Sequence, residues 1–354
     1  RLDDAERQQL DQVEDWARRE FDRVRGQLAG RKRAGRVREC HGDLHLGNLV
    51  LLRDALQPFD CIEFNPDLRW IDVISEIAFL LMDLDASGRP DLARGFLNSY
   101  LESGGDYEGL RVLAWYFAYR AMVRAKIGLM RAAQVGSAGD IGTLRQGFRR
   151  YLALAAGCAR PQRGFIAITH GFSGSGKTTL SQPLVELTGA IRIRSDIERK
   201  RMHGVAATEH GESGIAGGLY SADVTDATYR RLLDLVQPIL ESGRGVLVDA
   251  TFLKRRHRDL FRDFAAQAGV AFAIVDFTAP ESVLRGRIAA RARLGADASD
   301  ADQAVLQHQI RSGEALQADE LGVVFGYDAS RPVEQARMPE TWAELIDRLS
   351  PRRA

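Results

Sequence analysis

One segment constrains the fold more than any other. The apolar run Phe165–Thr169 leads into Gly171-Phe-Ser-Gly-Ser-Gly176-Lys177-Thr178, and a helical pattern begins near Lys177. The spacing is G-x-x-x-x-G-K-[ST]. Small residues let the backbone wrap a ligand with its N–H groups, and the helix N-terminus adds the positive end of its dipole. Such a loop suits a chain of phosphates. Gly171, Phe172, Ser173, Gly174, Ser175, Gly176, Lys177, Thr178 and Thr179 are therefore candidate ATP contacts. Lys177 is expected to reach the β- and γ-phosphates, and Thr178 to hold Mg²⁺ through its hydroxyl.

Around this segment, apolar runs alternate with amphipathic helices: Phe165–Thr169, Ile191–Arg194, Gly245–Asp249, Ala271–Asp276 and Val323–Tyr327. The alternation predicts an α/β fold with a parallel sheet covered on both faces. Ligands in such folds sit beyond the C-terminal strand ends. Asp196 follows the second run, with Arg199 one helical turn on. There the carboxylate can accept a hydroxyl proton, and the guanidinium can orient the substrate. Asp196 is also a good helix cap, and that alternative stands beside the catalytic one. Asp249 ends the third run as an apolar strand closed by a carboxylate, the pattern that supports Mg²⁺. Ala250 follows it where hydrolytic motors carry a Glu, which favours transfer to a bound substrate. On the helix Pro280–Arg293, Arg287 and Arg291 share a face, with Arg293 just beyond and Arg285 the expected bystander. In a lid over the phosphates they would act as arginine fingers in cis; otherwise they form a solvated basic face.

Residues 165–330 resemble the P-loop kinases of the shikimate, gluconate and polynucleotide kinase type, carried by the loop 171–178 and by Asp196 and Arg199 as a D-x-x-R. The resemblance implies a five-stranded parallel sheet in the order 2-3-1-4-5, with Asp196 activating the acceptor hydroxyl and Arg287 and Arg291 on the lid. His203, His210, Glu209 and Glu212 lie on or beside the glycine-rich stretch Gly204–Tyr220. They fit no standard zinc spacing, and a substrate loop is expected. Tyr220 and Ser221 are candidates for the acceptor pocket.

The first half reads differently. An amphipathic helix spans residues 1–29, with Gly30 as its stop, and the basic run 31–38 reads as a solvated connector or an anion or nucleic-acid patch. Strand-like runs cover Val37–Leu52 and Phe59–Phe64, and helices cover 71–84, 90–103, 107–133 and 140–156. Within the first run, His41-Gly-Asp43-Leu-His-Leu-Gly-Asn48 has the H-x-D-x-x-x-x-N spacing of a kinase catalytic loop. Asp43 would accept a substrate proton and Asn48 would hold Mg²⁺. This half resembles the helical C-lobe of aminoglycoside phosphotransferases and choline kinases. Glu63 falls where that family places its metal-binding Asp, and Asp72 and Glu76 match further acidic positions. No Gly-rich loop and no strand Lys stand between residue 1 and position 41, so this half is expected to lack an N-lobe here and to be either part of a longer kinase or a scaffold. The expected domains are 1–157 and 165–354, joined by a linker at 158–164. Together they resemble bacterial proteins that fuse such a lobe to an ATP-binding kinase domain.

Composition bounds the rest. The 354 residues, 45% hydrophobic and 27% charged, suffice for two globular cores. Forty-nine Lys and Arg against 48 Asp and Glu give a formal net charge of +1, with no general attraction to nucleic acid or anionic membrane. The three cysteines are widely spaced, which predicts a reducing, cytoplasmic setting. No run of about 18 apolar residues is present. Without an initiator Met, the chain is expected to be a piece of a longer protein. The expected activity is ATP-dependent phosphorylation of a small-molecule hydroxyl. A non-catalytic ATP-binding switch and a kinase for nucleic-acid 5′ ends or sugar nucleotides are the alternatives.

Overall fold

The computed structural model describes residues 2–134, 138–160, 163–204, 222–294 and 301–349. Glu209, His210, Glu212, Tyr220 and Ser221, and residues 295–300 of the expected lid, lie outside the described residues. The chain divides into two compact units: residues 1–99 with 106–161, and residues 100–105 with 162–354.

The first unit is mostly helical. Its elements are α1 (Asp4–Arg33), β1 (Val37–Glu39), β2 (Leu49–Leu52), β3 (Ala55–Pro58), β4 (Trp70–Asp72), α2 (Val73–Ala86), α3 (Pro90–Gly104, whose last residues from 100 on belong to the second unit), α4 (Leu110–Gln134) and α5 (Ala138–Cys158). A capping box opens α1: Asp3 accepts from Glu6 N at 2.8 Å and Glu6 accepts from Asp3 N at 2.9 Å. Val13, Phe79, Met82, Ala118, Ala121, Phe148 and Leu152 form the core, so α2 is enclosed by its neighbours. Strands β1 and β4 pair antiparallel, as do β2 and β3.

The first unit departs from four sequence expectations. Helix α1 does not stop at Gly30 but continues to Arg33. Arg31, read as part of a solvated connector or anion patch, is buried and forks onto two carboxylates, Asp72 at 2.7 and 2.8 Å and Asp106 at 2.8 Å. Those charge-assisted bonds outweigh the helix penalty of one glycine, which is about 1 kcal/mol. Val37–Leu52 is not one strand, and Phe59–Phe64 is not a strand at all. Between β1 and β2 several backbone donors are taken by side chains, Glu76 and Asp83 among them, rather than by a ladder. Phe64 is 84% exposed, so its apolarity marks no core position.

The second unit contains β5 (Phe165–His170), α6 (Lys177–Thr188), β6 (Ile191–Arg194), α7 (Ser195–Met202), α8 (Ala222–Glu241), β7 (Val246–Asp249), α9 (Arg255–Ala268), β8 (Ala271–Thr278), α10 (Glu281–Leu294), α11 (Gln303–Ser312), β9 (Val324–Asp328), α12 (Val333–Ala336) and α13 (Ala343–Leu349). Its five strands pair in the order β6-β7-β5-β8-β9, all parallel. Numbered within the unit this is 2-3-1-4-5, the P-loop order. Alternate residues of β5 point to opposite faces. Phe165 and Ala167 join a core with Leu180, Leu184, Val275, Phe277, Trp342 and Leu345 from the α6/α13 side. Ile166 and Ile168, fully buried, face the side covered by α8 and α9. Burial on both faces explains the unbroken apolar runs. The topology puts three strand ends side by side, so the turns after β5, β6 and β7 share one edge.

Candidate active site

The turn after β5 is built on left-handed glycines: φ is +136° at Gly171, +84° at Gly174 and +83° at Gly176. A Cβ at Gly171 would lie 2.5 Å from the Phe277 carbonyl oxygen, and one at Gly174 would lie 2.7 Å from that of Leu284. Only glycine relieves both the torsion and the contact. Gly171 N donates to Thr251 O at 3.2 Å, tying this loop to the turn after β7. The side-chain hydroxyl of Thr169 donates to Ala250 O at 2.6 Å and accepts from Ala250 N at 3.1 Å, which reinforces the tie.

Lys177 opens α6 and turns back into the loop. Its Nζ donates to the carbonyls of Gly171 and Phe172, each at 2.9 Å, and to Ser175 Oγ at 3.4 Å. Burial lowers its pKa from 10.5 to about 8; the nearby carboxylates of Asp249 and Asp196 favour its charge, whereas Arg291 opposes it. The next residue, Thr178, donates from Oγ1 to Asp249 Oδ2 at 2.6 Å. This pairs a hydroxyl with a buried carboxylate, both hard oxygen donors of the kind Mg²⁺ takes, so the residues present fit that ion.

Asp196 lies in the first turn of α7. Its Oδ1 accepts from Ile197 N at 2.9 Å and from Arg194 Nε at 3.1 Å, and its Oδ2 accepts from Arg194 Nη2 at 2.7 Å. Burial by itself would raise its pKa, but the Arg194 charge and hydrogen bonds prevail and hold it below the ordinary carboxylate value. Arg199 adds to that lowering from one turn further along α7.

On α10, Arg287 donates to Ser175 O at 3.2 Å and to Ala329 O at 2.8 Å, so it already sits on the loop. Arg291 donates to Ala301 O at 2.6 Å. Arg285 is engaged elsewhere, by Glu281 at 2.8 Å and Gln303 at 3.2 Å.

Two side chains at this site escaped the sequence reading. Gln309 of α11 accepts from Ser173 N at 2.8 Å and donates to Ser173 Oγ at 2.9 Å, while Phe172 packs against the cluster of Leu284, Ile288 and Leu306. No sequence signal joins partners 136 residues apart. Arg194 had a signal, as a basic residue two places before the carboxylate at a strand end.

In the first unit, Asn48 Nδ2 donates to Asp43 O at 3.0 Å and to Asp43 Oδ2 at 3.3 Å, and His45 Nε2 lies 3.4 Å from the same Oδ2. Glu76 holds the loop from beneath, accepting from Gly42 N at 3.0 Å and His41 N at 3.2 Å. Glu63 is exposed on the segment after β3. Among the described residues, no group of three or more His, Cys, Asp or Glu converges as a metal site. Nor is any described helix long and apolar enough to cross a membrane.

A family model described as an AAA domain matches residues 166–316. Uncharacterized proteins of Mycobacterium tuberculosis and Mycobacterium bovis are 33% identical over 273 residues, 77% of this chain and 54% of theirs. The chain thus spans about half the length of these relatives. Among solved structures, a gluconokinase from Sinorhizobium meliloti is 23% identical, with 54% of this chain and 95% of that one covered and a TM-score of 0.38. The Mycobacterium tuberculosis APS kinase, solved with AMPPNP and APS, is 24% identical, with 53% and 99% covered and a TM-score of 0.38.

Proposed function

We propose that the second unit is an ATP-dependent phosphotransferase whose acceptor is a hydroxyl of a small molecule. The observation that carries the reading is Asp196: a carboxylate held ionised within electrostatic reach of Lys177, on the strand edge that bears the phosphate loop. A nucleotide switch has no use for a base there. Ala250, where a motor would carry a water-activating Glu, also favours transfer over hydrolysis.

The residues divide the work by position. The loop amides and Lys177 take the β- and γ-phosphates, Lys177 exchanging the carbonyls of Gly171 and Phe172 for phosphate oxygens. Thr178 and Asp249 would hold Mg²⁺, which supplies charge neutralisation between the phosphates when bound. Asp196 takes the acceptor's proton, Arg199 orients the acceptor, and Arg287 and Arg291 face the charge that develops on the transferred group. The near-neutral net charge favours a small molecule over a nucleic-acid end. Cys40, Cys61 and Cys158 form no disulfide among the described residues, which suits a cytoplasmic location.

The direct test is a small-metabolite extract incubated with protein and γ-labelled MgATP, with Lys177→Ala alongside. Labelled products should form with the wild type and vanish with Lys177→Ala. Tight ATP binding with no labelled product would favour the switch, and label on nucleic-acid ends would favour the other kinase class.

Lys177 also predicts a pH dependence. With its pKa lowered to about 8 in the free protein, the lysine is largely neutral above that pH. Phosphates restore the charge, so binding must then take up a proton. MgATP affinity should be flat below about pH 8 and fall by up to about tenfold per unit above it. Calorimetry at pH 9 in two buffers of different ionisation enthalpy reads the uptake, and none there would refute the lysine's role.

A second phosphotransfer site in the first unit is the lesser reading. It is favoured by the Asn48 amide on Asp43, the arrangement in which a base and a metal-holding amide stand side by side. Asp43→Asn in a protein already carrying Lys177→Ala would remove any residual labelling if that site works.

A further inference from the structure

Asp196 has three hydrogen bonds among the described residues, distributed unequally. A carboxylate oxygen offers about two lone-pair directions. Oδ1 uses both, on Ile197 N and Arg194 Nε, whereas Oδ2 uses one, on Arg194 Nη2. The two bonds from Arg194 are the parallel fork that only a guanidinium makes, and they fix the carboxylate plane. Other charges face this pair. Lys177 of α6 and Arg199 of α7 lie near Asp196, and Asp249 of β7 and Glu102 lie near Arg194.

We propose that Arg194 is the positioning residue of the transfer step: its fork occupies Oδ1 and orients the carboxylate, so that the acceptor's proton is taken at Oδ2. The inference rests on Asp196 being the base. The acceptor's O–H bond breaks toward Oδ2 as its oxygen bonds the γ-phosphorus, and the bond from that phosphorus to the departing ADP oxygen breaks. Oδ2 then returns the proton to solvent. ATP and an alcohol become ADP, a phosphate monoester and one proton. Arg194 has two separable duties, keeping the carboxylate ionised by its charge and aiming it by its planar shape.

Two variants separate them. Arg194→Gln removes the charge; Arg194→Lys keeps a charge but cannot fork. In protein labelled with ¹³C at the aspartate carboxyls, with Asp196→Asn identifying the signal, the Asp196 titration midpoint should rise in Arg194→Gln and stay low in Arg194→Lys. Transfer of γ-label into the metabolite extract should fall in both, by about 10²-fold in Arg194→Lys, as expected for a misaimed base. An unmoved midpoint in Arg194→Gln, or wild-type transfer by Arg194→Lys, would overturn the proposal. Should Arg194→Gln not fold, Arg194→Lys decides it alone. If the wild type labels nothing, the phosphotransfer reading falls, while the midpoints still judge whether Arg194 governs Asp196.

Discussion

Asp196→Asn should lower phosphoryl transfer by about 10²–10⁴-fold, the usual contribution of a general base, while MgATP affinity changes by no more than a few-fold. The substitution is nearly isosteric. Its carbonyl can still accept from Ile197 N, as Oδ1 does now at 2.9 Å. Its amide, however, cannot take a proton. Nucleotide affinity rests on other atoms, the amides of 171–178 and the Lys177 ammonium, and these do not hydrogen-bond to Asp196. The substitution has one side effect. The amide nitrogen would face Arg194 Nη2, donor against donor, at a local cost of about 1–3 kcal/mol. A thermal melt measures that cost, and calorimetry with MgATP measures binding. Unchanged transfer would remove Asp196 from the mechanism. Equal losses in affinity and transfer would make it a nucleotide ligand instead.

The second unit was legible because its physics is local to each strand. Ile191–Arg194 is buried through Ile193, and Val246–Asp249 is buried throughout, so each reads as a solid apolar run ending at the ligand edge. The carboxylates at those ends, Asp196 and Asp249, were therefore visible, and so was Thr178 beside Asp249, whereas Arg194, which pairs with Asp196, was not. The first unit was harder to read. Its ribbons are short and exposed, with Leu51 at 65% and Leu56 at 70%, and exposed strands carry no alternation to read. Arg31 misled because a buried arginine and a solvated one look alike until Asp72 and Asp106, 41 and 75 residues away, arrive beside it. Gln309 on Ser173 was hidden for the same reason. Contacts set by tertiary closure leave no periodic trace in the chain.

The largest stability effect should come from Glu320→Ala. Arg258 and Glu320 are each 1% exposed. The guanidinium donates to Glu320 from Nε at 2.6 Å and from Nη2 at 2.9 Å, and also to the carbonyls of Phe252 at 3.0 Å and of Glu314 and Ala315 at 3.3 Å. Removing the carboxylate leaves a buried, uncompensated cation, which costs about 3–5 kcal/mol. For a unit of this size that is a fall in Tm of roughly 6–20 °C. Burial would raise the Glu320 pKa, but Arg258 outweighs it and the pKa is lowered. Its share of stability is therefore present above the unfolded carboxylate's pKa and lost as pH falls through the folded-state value. Glu320→Ala should flatten that acid slope as well as lower the plateau. Arg258→Met with Glu320→Leu should recover much of the loss, since an apolar pair leaves no buried charge. The effect should also reach the nucleotide. Phe252, which Arg258 holds by its carbonyl, has φ +47°, a left-handed torsion that costs a non-glycine residue about 1–3 kcal/mol, and its N donates to Tyr229 Oη at 3.0 Å. One residue earlier, Thr251 O anchors Gly171 N at the head of the phosphate loop. Glu320→Ala should thus weaken MgATP binding at temperatures where the protein is still folded. If binding held while stability fell, the strained turn would be sustained by Tyr229 and Thr169 without Arg258.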